Sequence, residues 1–171
     1  RLLVSEALVI AGAAGGYAGD VVCEALADLG EIDTTRVAMQ PGSTQGFGRL
    51  GTDQVPTFLL PANPVSALVV FEVIVRPALR AMLGRRNPYR RTVTARTLAP
   101  ISSPAGRRQF LRGQLMRDDN EEYLVHILGG AGGTHFLASL AEANCLVLID
   151  EDVIDVPIGA EVAVSFLAQR A

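Results

Sequence analysis

Three short segments carry the residues best suited to holding an anion. AGAAGGYAG (11–19) contains Gly12, Gly15 and Gly16. MQPGSTQGFG (39–48) contains Gln40 and Ser43, and LPANPVS (60–66) contains Pro61, Asn63, Pro64 and Ser66. Glycine lets the backbone approach a ligand closely, and successive amides in such loops form anion-binding concavities. Asn63 is placed to cap a helix that opens at Pro64, where a missing N–H costs nothing. The amides of Val65, Ser66 and Ala67 are then expected to face whatever lies above the loop. Unpaired amides and the macrodipole together favour negative charge at a helix start. The chemistry expected is therefore the binding of a phosphorylated or otherwise anionic ligand. Capping alone also accounts for the Asn-Pro turn, at about 1 kcal/mol, and the two roles are compatible.

The elements that position these loops follow from apolar patterning. Short apolar runs at Ala7–Ile10, Arg36–Met39 and Val55–Leu60 predict strands. The glycine-rich 11–19 segment reads as a loop. Asp20 can cap a helix, VVCEALADLG, that stops with Gly30 at C′. A longer helix is expected from Val65 to Leu83, kinked at Pro77. Strand–loop–helix alternation predicts a three-layer α/β/α domain with a largely parallel sheet. In such sheets ligands gather at the carboxyl ends of strands, so the loops at 11–19, 40–48 and 61–64 are expected to share one face.

The character changes after Gly84. RRNPYRR reads as a linker, and the segments Thr92–Leu98, Gln109–Met116, Tyr123–Leu128, Cys145–Ile149 and Val162–Leu167 read as strands. SLAEAN (139–144) suits one helical turn. The second half is expected to be a small β domain, a compact barrel or sandwich. The expected division is 1–86 and 87–171.

Composition narrows the function classes. The chain has 171 residues, 49% of them hydrophobic and 19% charged, with a net charge of −3. This permits a packed core and argues against a nucleic-acid partner. No apolar run is long enough to span a bilayer, so no membrane role is expected. All 15 basic residues are arginine, which excludes lysine-dependent chemistry within the chain. Cys23 and Cys145 stand far apart in unlike contexts; no disulfide framework is indicated, and a reducing cytoplasm is expected. His126 and His135 lack partners at metal-ligand spacing and read as structural. The acidic run Asp118, Asp119, Glu121 and Glu122 reads as a solvated hairpin tip. RLLVSEALVIAG reads as a helix tail entering a strand without an initiator Met, so the chain is expected to be the C-terminal part of something longer.

QPGSTQGFG (40–48), LPANPVS (60–66) and FEVIVRPALRAMLG (71–84) resemble the molybdopterin molybdenumtransferase family (MoeA and the gephyrin E domain). FLRGQL (110–115) and SLAEAN (139–144) add to the resemblance, which covers essentially the whole chain. It implies a partial molybdopterin-binding-type domain followed by the family's C-terminal β domain. It implies an enzyme that binds adenylylated molybdopterin, hydrolyses the adenylate with Mg²⁺ and inserts molybdenum from molybdate. It also implies a homodimer in the full-length protein. On the motif positions, Asp20 would serve Mg²⁺ or ligand orientation. Arg36 would clamp phosphate or molybdate, with Gln40, Ser43 and the 61–66 turn completing the anion contacts. A helix cap and a solvated strand-end arginine are the plainer readings of Asp20 and Arg36.

The sequence also departs from the family pattern. GAAGGY (12–17) replaces a GGVSxG loop, so the serine is missing. Gln40 stands where Lys or Arg is usual, Ser43 where Lys is frequent, and Ala62 where the turn has glycine. These departures raise an alternative: a catalytically weakened paralogue that acts as a pterin-binding or protein-interaction module. The fragment alone is expected to be inactive.

Overall fold

The computed structural model describes residues 5–129 and 136–167, and the chain separates into two compact units. One comprises Arg1–Val37 and Pro41–Pro88, the other Ala38–Gln40 and Tyr89–Ala171.

The first unit opens with β1 (Leu8–Ala14), α1 (Gly16–Leu26) and β2 (Ile32–Asp33). The short β3 (Met39–Gln40) belongs to the other unit. The first unit resumes with β4 (Gly46–Leu50) and β5 (Val55–Pro61). It closes with α2 (Pro64–Val70), a π-helical turn (Phe71–Val75) and α3 (Arg76–Met82). The sheet order is β1-β5-β4-β2.

The sheet is mixed rather than largely parallel. β1 and β5 are parallel, but β4 pairs antiparallel with both β5 and β2. The cause is the tight 51–54 turn, which makes β4 and β5 a hairpin and leaves no room for a crossover helix. Side-chain alternation sends Leu59 to one face, where it joins Ala13 and Ala14 under Val22 and Cys23 of α1. Phe58 and Leu60 point to the other face and are also buried.

Four local expectations change. First, β1 runs to Ala14, four residues past the expected end. Gly12, at φ +79°, supports a register shift between Ala11 and Ala14, so the strand continues through the glycines as a bulge. Second, α1 starts at Gly16 with Gly15 at the N-cap, which places Asp20 inside the helix rather than at its cap. Third, α1 ends at Leu26 with Ala27 at the C-cap, so Gly30 is not C′. Gly30 is instead needed where the chain crosses β4: a Cβ there would stand 2.5 Å from the Arg49 carbonyl oxygen.

Fourth, the expected strand at 36–39 is reduced to its last residue, Met39, which pairs in β3. The Asp33 carboxylate accepts a hydrogen bond from the Thr35 amide (2.8 Å), and this turn breaks extended pairing. At Pro77 the missing N–H removes a bond to Val73, and the preceding turn widens: the Arg76 amide reaches back to the Phe71 carbonyl.

The second unit contains β6 (Thr92–Thr97), β7 (Ile101–Ser102), β8 (Arg108–Arg117) and β9 (Tyr123–Ile127). It continues through α4 (Phe136–Glu142), β10 (Cys145–Ile149), β11 (Asp155–Val156) and β12 (Glu161–Phe166). The order β10-β12-β6-β9-β8, closed by β10–β8 pairing, makes a five-stranded barrel, with β3 added beside β8. Its core holds Val125, Cys145, Val147 and Val164, all fully buried.

The two downstream motifs serve this barrel. In FLRGQL, Gly113 faces inward: a Cβ would stand 2.9 Å from Val125 Cγ2 and 3.0 Å from Cys145 Sγ. Arg112 of the same motif is 7% exposed, and burial pushes its guanidinium below its usual value. In SLAEAN, Asn144 clamps the backbone of Leu115 from both sides. Its Oδ1 accepts from the Leu115 amide (2.7 Å) and its Nδ2 donates to the Leu115 carbonyl (2.9 Å). The acidic tip is a solvated hairpin in which Asp118 Oδ1 accepts from the Asn120 and Glu122 amides.

Candidate functional site

The register of the first unit gathers its loops. β1 and β5 run parallel with Ala14 opposite Pro61 at their carboxyl ends. β4 runs the other way, so its first residue, Gly46, lies opposite Leu59. The chain leaving β1 at Gly15, the chain entering β4 at 41–45 and the chain leaving β5 at Ala62 therefore meet at one sheet edge. The approach is close: a Cβ on Gly15 would stand 2.6 Å from Thr44 Cγ2. Gly15 also has φ +82°. Backbone and space both demand glycine here, which explains why serine is missing from this loop. Thr44 was not singled out from sequence; its signal was only its place in the QPGSTQGFG segment.

Two helices begin at this edge, and they differ. At α2, Asn63 Oδ1 accepts from the amides of Val65 (3.0 Å) and Ser66 (3.1 Å). The Ala67 amide donates to the Asn63 carbonyl (2.9 Å), and Pro64 has no amide. The donors expected to face an anion are thus already engaged, and that expectation is corrected. Pro61 is buried, Ser66 is half-buried, and Asn63 and Pro64 are exposed. At α1 the cap is Gly15, which has no side chain to bond the first-turn amides. Gly12 lies in the β1 bulge, while Gly15 and Gly16 flank the helix start.

The strap from Asp33 to Gln45 borders the same edge. The Val37 amide donates to the Ser43 carbonyl (3.0 Å) and Gln45 Nε2 donates to the Thr35 carbonyl (3.4 Å). Hydrogen bonds from Thr35 hold the Asp33 carboxyl below its usual value. The Val37–Ser43 link places Arg36 one residue from the backbone of Ser43. Arg36 is exposed and, among the described residues, has no hydrogen-bond or ion-pair partner. Gln40 is exposed on β3, paired with Gln109 of the barrel unit. The register therefore gathers Gly15, Gly16, Ser43, Pro61 and Asn63, and leaves Gln40 in the other unit.

Asp20 is exposed on α1. Among the described residues no three His, Cys, Asp or Glu side chains come together to hold a metal. Asp20 thus fits Mg²⁺ only in the arrangement where one carboxylate is completed by substrate phosphates and water. His126 is exposed on β9, and His135 lies outside the described residues. Burial pushes the Cys145 thiol up to about 12, which makes it an inert core group. A cavity of about 510 Å³ lies at the opposite sheet edge, lined by Asp28, Leu29, Leu50, Gly51 and Val55 among others. No residue expected to bind the anion lines it. Among the described residues no helix is long and apolar enough to cross a membrane.

Residues 2–81 match the probable molybdopterin binding domain, and residues 94–167 match the MoeA C-terminal region (domain IV). The chain is 61% identical over 169 residues to molybdopterin molybdenumtransferase 1 of Mycobacterium tuberculosis, covering 97% of this chain and 40% of that protein. It is 44% identical over 133 residues to molybdopterin molybdenumtransferase 2 of the same organism, covering 78% and 31%. A crystal structure of the molybdopterin biosynthesis MoeA protein from Pyrococcus horikosii superposes with a TM-score of 0.74 at 28% identity, over 99% of this chain and 39% of that one. The chain thus spans about 40% of the length of molybdopterin molybdenumtransferase 1. With both domains matched in order, the chain belongs to the molybdopterin molybdenumtransferase family, of which it represents a C-terminal portion.

Proposed function

We propose that this chain forms part of a molybdenum cofactor biosynthesis enzyme, a molybdopterin molybdenumtransferase. The reaction is insertion of molybdenum from molybdate into adenylylated molybdopterin, coupled to Mg²⁺-dependent hydrolysis of the adenylate. The observation that carries the reading is the meeting of an uncapped helix start, at Gly15–Gly16, with the Arg36–Ser43 strap at one sheet edge.

In this reading the first-turn amides of α1 receive the anion, because unpaired N–H groups and the helix dipole act together there. Arg36 adds an exposed guanidinium whose planar fork matches an oxyanion. Ser43 contributes a neutral hydroxyl donor. Asn63 and Pro64 hold the neighbouring turn rigid, and Pro61 ends β5 beside it. Mg²⁺, when bound, would neutralise phosphate charge, and Asp20 is the residue that would hold it. Positioning and charge neutralisation of this kind need no covalent protein intermediate. The enzyme works as a homodimer in the cytoplasm, and this portion alone is inactive.

Complementation tests the proposal. The full-length protein should restore molybdoenzyme activity in a strain lacking molybdate insertion, and Arg36→Ala should restore it poorly. Failure of the unaltered protein to complement would overturn the proposal.

A second reading, the weakened paralogue, draws on Gln40, Ala62 and the glycine at position 15. Tight pterin binding without molybdate-dependent cofactor formation, seen by calorimetry and product assay, would favour it.

A further inference from the structure

We propose that Met39 is a positioning residue for the anion site. Through the two-residue strand β3 it pegs the strap, so that Arg36 and Ser43 are held close together ahead of any ligand. The inference rests on the reading of Arg36 and Ser43 as anion contacts.

Between Arg36 and Ser43 the chain makes an excursion. Ala38–Gln40 belong to the barrel unit, whereas the residues on both sides belong to the first unit. The excursion is closed at its base, where the Val37 amide donates to the Ser43 carbonyl at 3.0 Å. Gly42, at φ +98°, turns the chain back to reach that bond. It is anchored at its tip. β3 pairs in parallel with β8, Met39 opposite Arg108 and Gln40 opposite Gln109, and the Arg108 amide donates to the Ala38 carbonyl at 3.1 Å. On its other edge Gln109 pairs with Ile149 of β10, so the anchor is part of the closed barrel. Backbone pairing this short is marginal unless apolar surface is buried with it. Met39 supplies that surface, and its side chain is buried. Pinning the tip restricts the conformations open to Arg36 and Ser43 in the unliganded protein. A ligand that meets groups already ordered binds more tightly, because less entropy is lost on binding.

The test is calorimetry with pyrophosphate on the full-length protein, together with hydrogen exchange of the Val37 amide. Met39→Ala should weaken pyrophosphate about fivefold and speed Val37 exchange about tenfold. Met39→Leu, close in volume, should keep both at the parent level. In an Arg36→Ala background, Met39→Ala should cost less affinity than in the parent, because the two residues act through one contact. If Met39→Ala does not fold, Met39→Val is the smaller truncation that carries the same expectations. Parent-like binding and exchange in the truncated variant, while Arg36→Ala weakens binding, would overturn the inference and leave the anion site standing. Equal loss in both backgrounds would also overturn it, since the loss then does not pass through Arg36. If the parent does not bind pyrophosphate, or Arg36→Ala binds it as the parent does, the anion reading fails and Met39 has nothing to position.

Discussion

Two helices start within one sheet edge of this protein, yet their first turns are built in opposite ways. α2 is closed: Asn63 occupies the amides of Val65 and Ser66, and Pro64 removes another donor. α1 is open: its cap is a glycine with no side chain to spend on the helix. A capped start is worth stability, and an uncapped one leaves donors for a ligand. The sequence advertises α2 more loudly, because Asn-Pro before an apolar run is a strong start signal. The same signal that locates the helix also consumes its anion-binding capacity.

The largest effect should come from closing α1. Gly15→Ser meets Thr44 and carries an unfavourable φ, so it should cost about 2–3 kcal/mol of stability in thermal melts and abolish anion binding. Adding Thr44→Ser removes the methyl group and should recover part of that loss in a double-mutant cycle. Full stability in the single variant would break the account of this contact. Arg36→Ala should come next for the ligand, lowering pyrophosphate affinity about tenfold, as expected for loss of a charge-assisted contact. Its melting temperature should hardly move, since the side chain is exposed.

The α2 start should behave in reverse. Asn63→Ala should cost about 1 kcal/mol of stability and leave anion affinity unchanged, whereas Asn63→Asp should keep most of the cap. A loss of affinity with Asn63→Ala would erase the distinction between the helices.

The smallest effect concerns the strap. Thr35 holds the Asp33 carboxyl below the ordinary aspartate value of 3.8. A depressed folded value means that the contribution is present above about the unfolded value and is lost as pH falls through the folded one. The Thr35 amide resonance should therefore titrate with a midpoint below 3.8. A midpoint at or above that value would contradict the turn that presents Arg36.

Much of the barrel was legible. Period-two runs placed β6, β8, β9 and β12 to within about one residue, because each buries one face against a shared core, and a continuous apolar run placed β10. The α/β unit was harder to read. Glycine composition argued for a loop at 11–19, but positive φ at Gly12 lets β1 continue and positive φ at Gly15 and Gly16 lets α1 begin early. Local composition cannot distinguish a bulge from a loop, since both need the same residue. β4 was missed because Gly46 and Gly48 replace the apolar alternation on its inner face; a Cβ at Gly48 would collide with the Glu31 carbonyl. The three loops were expected at one edge from a parallel sheet, but 41–45 reaches that edge by entering antiparallel β4 rather than by leaving a parallel strand. Which helix start is open was not legible, because it depends on whether an Asn side chain turns inward to its own helix.

Soaking crystals of the full-length protein with tungstate, a heavy analogue of molybdate, most directly tests which helix start receives the oxyanion. The account expects an anomalous peak within hydrogen-bonding reach of the α1 first-turn amides, on the side of Arg36. A peak seated on the Val65 and Ser66 amides with Asn63 swung away, or no peak anywhere along this edge, would contradict it.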